Sequence, residues 1–270
     1  MKLCRFQPLE FSSKEVTRAS LEAHPEPRSG IIEGSTVREI RGELWGACEF
    51  TGRSWPLDSV NLLSPSVPSK VVCVGKNYVE HAAEMGGPPP KSPVIFLKPP
   101  SSVIGPEEPI VLPRISQMVH YEGELAVVIG RRFRLTRPDE DFRPYILGFT
   151  CFNDVTARDL QRLDGQWTRG KSFDTFCPIG PVIETQIDWA GTTLETFVNG
   201  IKKQSARLSE MIFSLDVIIP WIAQVMTLEP GDVIATGTPS GVGPLVAGDV
   251  VEVSLTGIGT LRNPVVAPED

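Results

Sequence analysis

Residues 121–130 run Tyr-Glu-Gly-Glu-Leu-Ala-Val-Val-Ile-Gly, so two carboxylates one residue apart enter a segment otherwise built to be a buried β-strand. Alternate side chains of a strand share a face, which points Glu122 and Glu124 the same way with only Gly123 between them. An isolated Glu-x-Glu usually lines the wet face of an edge strand. Here the apolar block Leu125–Ile129 follows directly and argues for a strand covered on both faces. Two like charges in such a place require compensation by a proton, an arginine or a metal. A second apolar run, Tyr145–Phe152, ends in Asn153-Asp154 and, laid beside the first, brings a third carboxylate to the same spot. Three acids without neighbouring Cys or His favour a hard divalent cation, Mg²⁺ or Mn²⁺, over zinc.

A chain of 270 residues can bury a substantial core, as one large domain or as a small domain beside a larger one. Residues 1–69 are mixed and turn-rich, with a hairpin predicted over Ile31–Val37, and they end in the proline-spaced stretch Leu63-Ser64-Pro65-Ser66-Val67-Pro68. This punctuation divides a small N-terminal β-rich domain (1–69) from a larger catalytic one (70–270). Beyond it, short strands are predicted at Lys70–Val74, Val94–Leu97, Glu124–Ile129, Tyr145–Phe152, Val182–Glu184, Val233–Thr236 and Val250–Leu255. Helical patterns are few. The clearest, Met211–Met226, carries Pro220, which should interrupt or kink it. The expected fold is mainly β with short helices (α+β).

The formal charge of -7 and the acidic isoelectric point argue against nucleic acid or an anionic membrane as the main partner. Any anionic substrate must be met by local positive charge. The five cysteines are scattered and form no Cys-x-x-Cys pair, as expected of small core residues in a reducing compartment. The N-terminus lacks the apolar stretch of a signal peptide, and no run reaches the length needed to span a bilayer, so a cytoplasmic protein is expected.

His81 and Glu84 stand i, i+3 on a short helix bounded by Gly75 and by Gly86-Gly87-Pro88-Pro89-Pro90. That spacing lets a carboxylate hold the imidazole in one tautomer and support it as a base. The flanking glycines and prolines would suit a hinged lid. Only three histidines occur, His24, His81 and His120, so the choice of base is narrow. Residues 165–172, Gly-Gln-Trp-Thr-Arg-Gly-Lys-Ser, satisfy the P-loop pattern letter for letter, but the context is wrong. A P-loop follows a buried strand and opens a helix; this segment follows the helical pattern Arg158–Asp164 and soon meets Pro178. A P-loop nucleotide enzyme therefore stands as a remote alternative.

Six motifs occur together and in order: Asn77-Tyr78 with His81 and Glu84, Phe96-Leu97-Lys98-Pro99, Tyr121 to Leu125, Asn153 to Asp159, Lys171-Ser172-Phe173-Asp174, and Thr236 to Gly243. In this the chain resembles the fumarylacetoacetate hydrolase (FAH) family from about Val71 to Val266. The resemblance implies a mixed β-sandwich roll, a small N-terminal domain, a homodimer and a Mg²⁺ or Mn²⁺ site. It makes Glu122, Glu124 and Asp154 the metal ligands. It makes His81 and Glu84 a water-activating lid dyad, and it places Arg158, Gln161 and Lys171 along the substrate pocket with Thr238 on the substrate carboxylate. Lys171 is counted with the catalytic pair, while Lys76, Lys98 and His120 are left in supporting roles. The chain is similar to the compact branch of acylpyruvases, oxaloacetate decarboxylases and the 2-hydroxyhepta-2,4-diene-1,7-dioate isomerases of aromatic catabolism. It departs from many bacterial relatives at Ser172, where they carry glycine, a change expected to alter the pocket beside Lys171. Residues 10–28 look like an extra loop without an assigned role.

The implied chemistry is Lewis-acid polarisation of a 2-oxo acid and stabilisation of the enolate that develops. Hydroxide delivered by His81 to a distal carbonyl would cleave a C–C bond, and loss of CO₂ from a β-carboxylate would reach the same enolate. Proton movement alone would give a tautomerase or isomerase. The expectation is a Mg²⁺-dependent hydrolase or lyase of β-dicarbonyl or 2-oxo acids, with tautomerase or isomerase as the alternative. A metal-stabilised binding protein without turnover is a third possibility, distinguished by indifference to His81.

Overall fold

The computed structural model describes residues 1–9, 26–137 and 140–268. Most of the 10–28 loop thus lies outside the described residues, although Arg28 itself opens a strand. The N-terminal part consists of β1 (Lys2–Pro8), β2 (Arg28–Glu33), β3 (Thr36–Gly42), β4 (Cys48–Pro56) and β5 (Val60–Leu63). The expected hairpin is β2–β3. Its turn is made by Gly34-Ser35, with Gly34 at φ +60, the left-handed conformation that glycine adopts without steric cost.

The chain continues through β6 (Val71–Gly75), α1 (Val79–Glu84), β7 (Val94–Lys98), β8 (Val103–Ile104), β9 (Ile110–Val111), β10 (Val119–Tyr121), β11 (Gly123–Ile129), β12 (Ile146–Asn153) and β13 (Thr156–Ala157). After α2 (Arg158–Asp164) and α3 (Thr168–Lys171) come β14 (Cys177–Glu184), β15 (Thr193–Val198) and β16 (Ile201–Arg207). The last elements are α4 (Leu215–Val225), β17 (Val233–Ala235), β18 (Gly243–Pro244), β19 (Val250–Leu255) and β20 (Gly259–Val266). Every strand expected from the sequence is present. The strand expected over Val182–Glu184 begins five residues earlier, at Cys177.

One large mixed sheet runs β4-β3-β2-β1-β14-β12-β11-β17-β6-β7, with β5 beside β1 and β8 beside β14. The N-terminal strands enter it through the β1–β14 ladder, Lys2 opposite Glu184. A second sheet, β16-β15-β19-β20-β9, packs against it, and β13-β10-β18 form a small third sheet. The architecture is therefore mainly β with few short helices.

Strand β11 lies between β12 and β17 and is buried at every position. Its alternation explains the unbroken apolar run. Val127 and Ile129 pack under α4 against Ile218 and Ile222, while Ala126 and Val128 face Leu3, Phe152 and Ile179 on the other side. Helix α4 is shorter than its pattern. Met211 is taken into a β-bridge with Tyr78, the helix starts only after Ser214, and Pro220 sits inside it. Among the described residues no helix is long and apolar enough to cross a membrane. All five cysteines are free. Four are buried as expected, but Cys48 is exposed on β4 at the edge of the large sheet.

Candidate active site

The β11–β12 register brings the acids together. Gly123 pairs with Asn153, so Glu122 and Asp154 meet where the two strands part. The Asp154 N–H donates to the Glu122 carbonyl (2.9 Å), and the Glu122 N–H donates to Asn153 Oδ1 (3.0 Å). Gly123 cannot carry a side chain, because a Cβ there would lie 2.0 Å from Thr196 Oγ1 of the second sheet. Glu122, Glu124 and Asp154 are buried, and one ligand oxygen from each lies within 4.8 Å of the others.

Three cations answer this charge. Lys98, which ends β7, donates to Asp154 Oδ1 (2.6 Å) and to the Val155 carbonyl (3.0 Å). Lys171, which ends α3, donates to Asp154 Oδ2 (2.6 Å) and Glu122 Oε2 (3.0 Å), with its ammonium 5.1 Å from the Phe96 ring centre. Arg158, the first residue of α2, bonds Glu122 Oε1 and donates to Gln161 Oε1 (2.7 Å). Arg158 and Gln161 are three residues apart on one helix face, and that face is buried. Burial would raise the Glu122 carboxyl, but the charges of Lys171 and Arg158 hold it well below the usual carboxylate range.

Glu124 differs from its neighbours. Its Oε2 accepts the Gly237 N–H (2.7 Å), and among the described residues no cation pairs with it. Burial, followed by the charges of Asp154 and Glu122, pushes its carboxyl well above the usual range. A buried all-oxygen cluster containing one carboxylate without a cationic partner fits a hard divalent ion. The donor set does not suit a soft metal.

His81 stands over this cluster on α1, and its Nδ1 lies 3.0 Å from Glu84 Oε2. The other Glu84 oxygen accepts the Gly241 N–H (3.2 Å), and Ser240 Oγ donates to Glu80 Oε2 (2.9 Å), so α1 is fastened to the glycine-rich loop. The loop's Gly237 has φ +100, and a Cβ there would lie 2.6 Å from Asn77 Cβ. Asn77 in turn donates to the carbonyls of Thr236 (2.7 Å) and Phe213 (3.0 Å), anchoring the start of α1. Thr238 is buried on the same loop. Its hydroxyl donates to the Gly123 carbonyl (2.8 Å) and accepts from Gln204 Nε2 (2.8 Å), so its one hydrogen is committed within the protein.

These side chains surround a small cleft whose wall also includes Lys76, Met85, Phe96 and Trp167. Eight of the nine residues singled out as metal, catalytic or substrate-binding candidates line it, namely His81, Glu122, Glu124, Asp154, Arg158, Gln161, Lys171 and Thr238, and the ninth, Glu84, stands behind His81. Ser172 is not part of this wall. It lines a shallow groove outside with Gln166 and Phe173, so its expected effect on the pocket finds no contact. His120 also stands outside the wall, where burial and then the charge of Arg158 push its imidazole down to about 4. The P-loop letters follow directly on helix α2 and contain the whole of the one-turn α3, so a helix and not a strand leads into them.

From the sequence alone, Lys98 takes only a supporting role, Asn153 has no role of its own, and Gln204 is not singled out. Lys98 had a signal, since a lysine closing an apolar strand just before Pro99 is poorly placed for solvent. Gln204 had a weaker one: in Ile201–Arg207 it shares the inward face with Ala206, where period-two burial makes an amide anomalous.

Residues 70–266 match the fumarylacetoacetate (FAA) hydrolase C-terminal family, and residues 19–65 match an Rv2993c-like N-terminal family. The chain is 56% identical over 234 residues to protein Rv2993c of Mycobacterium tuberculosis, across 86% of this chain and 88% of that one. It is 42% identical over 221 residues to oxaloacetate tautomerase fahd2, mitochondrial, of Xenopus laevis, across 77% and 69% of the two chains. Among solved structures, 5-carboxymethyl-2-hydroxymuconate delta-isomerase from Mycobacterium smegmatis superposes with a TM-score of 0.87 at 46% identity, across 99% of this chain and 100% of that one. Maleylpyruvate hydrolase from Sphingobium sp. SYK-6, in complex with manganese(II) ion and pyruvate, superposes with a TM-score of 0.78 at 29% identity, across the whole of both chains.

Proposed function

The chain belongs to the fumarylacetoacetate hydrolase family, and from that premise we propose that it is a Mg²⁺- or Mn²⁺-dependent hydrolase or lyase that enolises 2-oxo carboxylic acids. The observation that carries this reading is the buried Glu122, Glu124 and Asp154 cluster, with ligand oxygens within 4.8 Å of one another beneath His81. These three residues would hold the ion. When bound, it supplies Lewis-acid polarisation of the substrate's keto oxygen.

The protein's own residues do the rest. Glu84 accepts the Nδ1 hydrogen of His81, which leaves Nε2 as the proton acceptor. Facing a water molecule, that nitrogen takes the proton as the oxygen attacks a distal carbonyl; facing C3 of the substrate, it takes the carbon-bound proton directly. Arg158 and Lys171 are shared between the acids and the cleft, where they meet the substrate carboxylate that an acidic chain would otherwise repel. Thr238 can donate its hydroxyl hydrogen to that carboxylate only by releasing Gly123. Phe96 and Trp167, with ring centres 5.2 Å apart, form an apolar wall that limits water.

A second reading, tautomerase or isomerase, is favoured by the names of the Xenopus and Mycobacterium smegmatis relatives. It uses the same enolate and the same base without water attack. The test is NMR of oxaloacetate and of an acylpyruvate with the protein and added Mg²⁺ or Mn²⁺. Pyruvate as product supports cleavage or decarboxylation, and faster keto–enol interconversion without cleavage supports the second reading. Neither outcome in the metal-loaded protein overturns both.

A further inference from the structure

Gln204 belongs to β16 in the second sheet, yet all the hydrogen bonds of its side chain go to the two segments that build the cleft. Its Oε1 accepts the Gly123 N–H (3.0 Å), between the two glutamates. Its Nε2 donates to Thr238 Oγ1 and to the Pro239 carbonyl, each at 2.8 Å. The side chain is 1% exposed. Its amide orientation is fixed, because an N–H on one side demands the oxygen and a carbonyl on the other demands the nitrogen. Thr238 closes the ring by donating to the Gly123 carbonyl. One neutral amide thus ties both backbone polar groups of Gly123 to the glycine-rich loop, directly and through Thr238. Glu122 and Glu124 are covalently attached to Gly123, so its position sets theirs.

Thr196 and Gln204 are paired across β15 and β16, and both press on the place where Gly123 has no side chain. Thr196 Oγ1 is buried without a partner, so among these two only Gln204 makes polar contact with the acid-bearing strand. A hydrogen-bonded partner behind a ligand typically governs metal affinity by about 10- to 100-fold.

We propose that Gln204 is a positioning residue that sets the divalent-metal affinity of Glu122, Glu124 and Asp154 from outside the cleft by locking Gly123 to the Thr238–Pro239 turn. This rests on the metal-dependent reading above. The test is Mn²⁺ binding to the full chain, followed by the electron paramagnetic resonance signal of free Mn²⁺, with thermal melting in parallel. Gln204→Met keeps the bulk and removes all three bonds; it should weaken Mn²⁺ about 10-fold or more. Val253→Ala, a buried change elsewhere in the second sheet, serves as the destabilised control and should bind Mn²⁺ within about twofold of the parent. Gln204→Asn keeps the amide on a shorter arm and decides the matter if the methionine variant does not fold; a loss of about threefold or more is expected. Mn²⁺ affinity within about twofold of the parent in a folded Gln204 variant overturns the proposal. A parent that binds no Mn²⁺ overturns the functional reading itself and is seen before any variant is compared.

Discussion

Strand β11 is two different environments within seven residues. Its first two, Gly123 and Glu124, sit among three carboxylates, two lysines and an arginine; the side chains of the next five, Leu125–Ile129, belong to the apolar clusters on its two faces. Each fully buried aliphatic side chain in the apolar half contributes on the order of 1.5–3 kcal/mol. The polar half is expensive to desolvate and recovers that cost only through well-placed partners. Fold stability and chemistry are therefore carried by adjacent stretches of one strand, and substitutions should separate them.

The largest effect is expected from Glu122→Ala. It leaves Arg158 without its carboxylate and Lys171 with one instead of two, and breaking a buried pair costs about 3–5 kcal/mol. Urea unfolding should show that loss and calorimetry should find no Mn²⁺ binding; an equally stable variant that still binds would break the contrast. Ile129→Ala, at the other end, should cost about 2–5 kcal/mol and leave Mn²⁺ affinity within about twofold. Parallel melting and calorimetry check it, and a coupled loss of metal would mean the halves are not separable.

His81→Gln sharpens the contrast further. Turnover should fall about 10²- to 10⁴-fold, while Mn²⁺ affinity and melting temperature stay near the parent's, as measured on one purified sample. The smallest effect belongs to an ion pair far from β11. Glu39 bonds Thr51 (2.7 Å) and Arg28 (2.6 Å). Burial raises its carboxyl, but these bonds and the Arg28 charge bring it below its ordinary value of 4.5. A depressed folded value means the pair stabilises the protein above that ordinary value and ceases to do so as pH falls through the folded one. Melting followed from pH 6 downward should show the parent's advantage over Glu39→Gln shrinking as acid is added.

Much of this molecule was legible from local pattern. The apolar block after Glu124 announced a doubly covered strand, Gly34 marked the hairpin turn, and the glycines after Glu84 stopped α1. The three acids were placed together by a single assumption, that the 121–130 and 145–152 runs are neighbours, and the β11–β12 ladder supplies it. The misread points have a common cause. Helix α4 lost its first turn because Met211 pairs with Tyr78 from a distant segment, and Ser172 lines a groove other than the cleft that Lys171 enters.

The sequence by itself determined where backbone could alternate, turn or stop, since those depend on the few residues around each position, and it determined which residue types could serve a hard cation. Tertiary structure alone decided which charges answer which acids. Lys98, Arg158 and Lys171 arrive from β7, α2 and α3, and Gln204 arrives from another sheet. Such pairings depend on strand order and sheet packing, and no local periodicity encodes how far apart in sequence two groups must lie to meet in space.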